Sequence, residues 1–164
     1  MGICKKFNVW TGETLKNFGK IHKGSIFSIA LTPDNTYLFT SDKYGYVKQF
    51  SVLDNSLVKD YNKIHERFIY SMVCSPDSNW LLVSGNRGNI IQFDIKSQTI
   101  FRDYDKIHQE DSDICCMAVG PNSNWFWTSD DCGRLKEWDM VTGELVRDFG
   151  KVSKGRLATF VCVS

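Results

Sequence analysis

The tripeptide Lys-Ile-His stands at 20–22, 63–65 and 106–108, so His22, His65 and His108 recur at intervals of 43 residues. A fixed period between about 20 and 50 residues constrains a fold more than any local propensity, because each copy must then be one supersecondary unit that cannot bury its apolar face alone. Other positions keep the same register. Pro33, Pro76 and Pro121 follow at 43 and 45, as do Gly45, Gly88 and Gly133, with Gly2 one copy earlier. Phe7, Phe50, Phe93 and Trp138 form a fourth series. The two added residues fall in "QEDSD" at 109–113, and "TGE" at 11–13 returns at 142–144.

Inside each copy the pattern is that of strands. "SIFSIALTPDN", "FIYSMVCSPDS" and "ICCMAVGPNS" are apolar runs halted by Pro and then Asp or Asn, a turn start that cannot continue a ladder. "YLFTSD", "WLLVSG" and "WFWTSD" follow, then a glycine turn, then "YVKQFSV", "NIIQFDI" and "RLKEWDM". "LVKDY", "IFRDY" and "LVRDF" close the units. No segment carries a 3.6-residue apolar period over ten or more residues, so helix is not expected. Four short strands per copy predict an all-β fold, a β-propeller of four-stranded antiparallel blades. Blades are expected at 25–61, 68–104 and 113–149, with partial blades at 1–18 and 156–164, all in a single propeller region.

The order of His, apolar strand, Pro-Asp turn, second strand, glycine turn and an aromatic-Asp pair ("FD" at 93–94, "WD" at 138–139) resembles the WD-repeat family. That resemblance spans nearly the whole chain and implies a rigid toroidal platform for binding other proteins. The family links its His, a Ser or Thr of the second strand, an Asp of the following turn and the Trp by hydrogen bonds. Here the Asp slot is read as Tyr44, Arg87 and Cys132, and Val83 replaces the hydroxyl that Thr40 and Thr128 keep, so that network is not expected to form. Ile21, Ile64 and Ile107 stand where the family usually has Gly before His. On this reading His22, His65, His108, Phe50, Phe93 and Trp138 are structural repeat positions.

Charge and motifs exclude several functions. Twenty Lys and Arg against nineteen Asp and Glu leave +1, no global field for nucleic acid or an anionic membrane. The absence of any apolar run near ~18 residues predicts a cytoplasmic chain, with the nucleus as an alternative. Six cysteines show no C-x-x-C and no zinc spacing, and equivalent histidines on blades ~10 Å apart cannot converge on one ion. No metal and no cofactor are therefore expected. "GKIHKGS" has the glycine frame of a phosphate loop but lacks its Lys, and a strand follows it. "MGIC" suggests acylation, but Lys6 stands where Ser or Thr is required, and Gly2 is in repeat register.

Loops held by a rigid scaffold are where binding residues concentrate. The histidine loops and the turns after the second strands carry Lys23, Glu66, Arg67, Glu110, Asp111 and Asp113, and Asp42, Lys43, Tyr44, Arg87, Asp130 and Asp131. Partner-binding candidates are Tyr44, Arg87, Arg67, Lys43, Asp130 and Asp131. The expected function is a non-catalytic scaffold binding a protein or peptide there. The alternatives are an enzyme with an axial-channel site and a nucleic-acid-binding module, and a homodimer completing the ring is a further option.

Overall fold

The structure, a computed structural model, describes residues 2–108 and 112–155. Among the described residues it contains fourteen strands and no helix. A two-stranded sheet is formed by β1 (Gly2–Phe7) and β2 (Thr14–His22). The first complete blade has β3 (Ile26–Leu31), β4 (Tyr37–Asp42), β5 (Tyr46–Ser51) and β6 (Leu57–Lys63). The second has β7 (Ser71–Cys74), β8 (Trp80–Ser84), β9 (Ile90–Asp94) and β10 (Thr99–Tyr104). The third has β11 (Ile114–Val119), β12 (Trp125–Asp130), β13 (Arg134–Asp139) and β14 (Leu145–Lys151). Every pairing is antiparallel between consecutive strands. The last expected strand, 156–164, lies outside the described residues, as do Glu110 and Asp111 of the third histidine loop.

Turn chemistry sets the strand boundaries. In the first Pro-Asp turn the Thr32 hydroxyl accepts the amides of Thr36 and Tyr37, and Asn35 takes a left-handed φ of 59°. Successive turns are tied together, the Asp34 amide donating to the Ser78 hydroxyl and the Asp77 amide to that of Ser123. The aromatic-Asp pair divides its labour: Trp138 enters the core, while Asp139 Oδ1 accepts the amides of Val141 and Thr142 and so caps the next hairpin.

Blades join through aromatic pairs. Phe18 of β2 meets Phe50 edge-on at 5.6 Å, Tyr61 of β6 meets Phe93 at 4.9 Å, and Tyr104 of β10 meets Phe126 at 5.6 Å. The strands β3, β7 and β11 are innermost, β7 adjoining β3 on one side and β11 on the other, and the Ser28 hydroxyl accepts the Met72 amide between β3 and β7. Burial at equivalent positions depends on what the preceding blade supplies. Met72 and Met117 are 6% and 5% exposed, whereas Ile29 at the same slot is 53% exposed, because β1 and β2 present no inner strands to cover it. Leu31 is bare beside Cys74 and Val119, which are buried. A cavity of about 400 Å³ between β2 and the first complete blade is lined by Lys20, His22, Lys48 and Asp60.

Candidate functional site

The histidines are buried at the blade junctions. In the third blade His108 Nδ1 lies 3.0 Å from Asp130 Oδ2, and its Nε2 lies 2.7 Å from Thr128 Oγ1. A carboxylate only accepts, so Nδ1 carries the proton, and a neutral imidazole then accepts at Nε2 from the Thr128 hydroxyl. That hydroxyl in turn accepts the Trp138 indole N–H at 2.9 Å. Asp130 Oδ1 takes the amides of Cys132 and Arg134, closing the glycine turn. Burial drives the His108 pKa below its ordinary value, and the opposing pull of Asp130 does not reverse it.

The first blade repeats two parts of this: His22 Nε2 lies 2.8 Å from Thr40 Oγ1, and Asp42 Oδ1 accepts the amides of Tyr44 and Tyr46. The Asp slot is therefore two residues earlier than the sequence suggested, at Asp42 and Asp130 rather than Tyr44 and Cys132; the network is complete in the third blade and partial in the first, where His22 Nδ1 lies 3.6 Å from Asp42 Oδ2 without a hydrogen bond and Phe50 has no side-chain N–H to add. Carboxylates two positions before the turn tip reach both turn amides, and their second oxygen bonds the histidine at Asp130 and the Gly24 amide at Asp42. Asp130, expected to face a partner, and Asp42, grouped with the same loops, are instead fully buried. Asp130, Asp131 and Cys132 bring ligand atoms within 4.8 Å of one another, but both Asp130 oxygens are engaged in these hydrogen bonds.

The second blade lacks the network. Val83 and Gly85 occupy the slots of Thr and Asp, and His65 Nε2 donates to the Val83 carbonyl at 3.2 Å. A Cβ at Gly85 would collide with the imidazole of His65, which fills that space. Without a capping carboxylate the turn rearranges: Gly85 N donates to Asn89 O, and Arg87 takes a left-handed φ of 60°. The Arg87 amide is held by Asp113 Oδ1 of the next histidine loop, and Asp113 Oδ2 accepts the Tyr70 hydroxyl at 2.9 Å.

These loops assemble a continuous face at the mouth of the innermost strands. The Lys43 ammonium lies 4.9 Å over the Tyr44 ring, and both side chains cover Gly24. Gly45, at φ 89°, passes against the carbonyls of His65 and Arg67, where any Cβ would overlap. Beyond Arg67, Phe68 meets Phe27 at 5.3 Å and Tyr70 at 5.9 Å. Tyr44, Phe27 and Phe68 are 47%, 48% and 36% exposed, and Arg67, Arg87 and Asp131 are exposed as well. Asp131 stands apart on the third blade's turn, its amide bonded to Asp113 O.

A family model described as WD domain, G-beta repeat, matches residues 12–51 and 57–94. Among solved structures, the WD40 repeats of RRP9 align with a TM-score of 0.71 at 17% identity, covering 77% of this chain and 39% of that one. The structure of U3-55K aligns at 0.72 with 16% identity, covering 79% and 40%. The chain carries WD40 repeats and takes the fold of WD40-repeat proteins. It spans about two fifths of the length of these solved WD40 proteins, and at such identities the likeness is one of fold. A search of the curated proteins finds no match.

Within the WD40 frame, Phe50, Phe93 and Trp138 are the buried aromatics of the third strands, 5%, 2% and 6% exposed. The structure brings Tyr44, Lys43, Arg67 and Arg87 onto one face. Sequence reasoning missed the aromatic row of Phe27, Phe68 and Tyr70. One signal was available: in repeat register Phe68 corresponds to Ser25 and Asp113, so an aromatic there departs from the unit.

Proposed function

We propose that this WD40-repeat protein is a non-catalytic interaction platform of the cytoplasm or nucleus that receives a protein or peptide segment on its histidine-loop face. WD40-repeat proteins are typically non-catalytic scaffolds. One observation carries the reading here: exposed aromatic and Arg side chains, the types enriched at binding hot spots, are contiguous on a face where the repeat does not need them for packing. The enzyme alternative meets a specific obstacle. Asp130, His108 and Thr128 form a hydrogen-bonded chain with the connectivity of a nucleophilic triad. Yet the Thr128 hydroxyl is buried and already accepts the Trp138 indole, so no substrate reaches it.

Affinity capture with wild-type protein, a Tyr44→Ala/Arg87→Ala variant and a Trp10→Ala variant tests the proposal, Trp10 lying on a hairpin tip away from the histidine loops. The expected result is that the double variant loses the captured partner at an unchanged melting temperature, while Trp10→Ala retains it. Equal capture by all three would remove the assignment of the face.

A further inference from the structure

We infer that the segment received on the histidine-loop face is an acidic peptide carrying a large apolar or aromatic side chain, the side chain seated on the Phe27–Phe68–Tyr70 row and its carboxylates met by Arg67 and Arg87. The inference rests on the platform reading and specifies its ligand.

Three observations support it. Arg67 and Phe68 are dispensable to the blade, since the sister repeats place Gly24 and Ser25, or Ser112 and Asp113, at the same two positions. Phe68 is nonetheless held in an aromatic row, 5.3 Å from Phe27 and 5.9 Å from Tyr70, and the Tyr70 hydroxyl is fixed on Asp113. The row is thus a built surface.

Charge supplies the second. This face carries Lys23, Lys43, Arg67, Arg87 and Lys106 against Glu66, Asp105 and Asp113, and the Asp113 carboxylate is already engaged by the Arg87 amide and the Tyr70 hydroxyl, while Asp42 is buried. Among the described residues none of these five cations makes an ion pair. A planar guanidinium beside an aromatic surface matches a carboxylate next to a ring on the ligand.

The third is the way Arg87 is presented. Its backbone donates to Asp113 Oδ1 in a left-handed turn, which fixes where the side chain leaves the chain. A nucleic acid fits less well. Its phosphates repeat along a strand, whereas the cationic surface ends at the third blade, where Asp113 and Asp131 stand, and the whole chain carries only +1.

Fluorescence anisotropy with three labelled probes tests the inference: a ten-residue peptide of Glu and Asp around a central Phe, its counterpart with Lys at the acidic positions, and an oligouridylate. The variants are Arg67→Ser and Phe68→Ser, which install sister-repeat or equally small residues, and Arg87→Asn, which removes the charge while tolerating the left-handed φ. The acidic peptide is expected to bind saturably, with affinity falling about tenfold or more in each variant and weakening as salt is raised. Discrimination between probes by the unaltered protein needs no variant, so a variant that melts early does not decide the question. Equal or tighter binding of the Lys peptide would overturn the acidic assignment while leaving the platform intact. Tighter binding of oligouridylate would replace the peptide by a nucleic acid. Absence of saturable binding to the acidic peptide, or binding indifferent to all three variants, would also overturn it, whatever the capture experiment returns.

Discussion

The Thr128 hydroxyl donates to His108, accepts from Trp138, and has no exposure to water. Thr128→Val keeps the shape and strands two buried polar groups at about 1–3 kcal/mol each, so a loss of about 2–6 kcal/mol is expected in urea unfolding. Thr40→Val should cost about half that, because Phe50 has no N–H to orphan. Comparable losses at the two sites would place the Trp138 indole elsewhere. Trp138→Ala is expected to cost about 3–5 kcal/mol, the range for a buried aromatic; a loss below ~1 kcal/mol would show it exposed. Burial lowers the pKa of His22, His65 and His108 below the ordinary 6.5. Below that pH the unfolded chain takes up protons that the native state refuses, so stability is level at neutral pH and declines as pH falls from about 6.5. A urea midpoint that holds or rises between pH 7 and 5.5 would contradict neutral buried imidazoles. At this scale the histidine series was legible from its period alone. The Asp partners were not, because Asp42 and Asp130 sit in charged turns, Asp130 beside a second carboxylate at Asp131, and only the turn geometry decides which side chain is aimed inward.

Turns show how one side chain fixes an element. Where Asp42 and Asp130 cap the glycine turn, its tip keeps a right-handed backbone; where Gly85 stands, Arg87 is left-handed and leans on the next blade. Gly85→Asp would restore the repeat pattern, yet its Cβ meets His65, so the substitution is expected to destabilise by about 1–3 kcal/mol. A gain in melting temperature would mean that the imidazole can retreat to the position that His22 holds. Strand existence and order were readable from alternation and Pro-Asp stops. The altered second turn was not, since it follows from a missing carboxylate whose effect reaches Asp113 on the next loop.

For the whole molecule, the repeat foretold blades, and the exposure of equivalent residues shows how far each depends on its neighbour. Met117→Ala should cost about 2–5 kcal/mol in the 164-residue chain, as for a core methionine, while Ile29→Ala at the same slot should cost well under ~1 kcal/mol. Equal costs, measured by chemical unfolding, would mean that something covers β3. The bare flank of Ile29 and Leu31 has a statistical consequence too. Blades contact only adjacent blades, so their stability behaves as a one-dimensional chain of couplings, and a unit with one coupling melts before units with two. Among the described residues the two-stranded sheet and the third blade each have one such neighbour, so heat or denaturant should erode the array from its ends inward, and calorimetric and van't Hoff enthalpies should disagree.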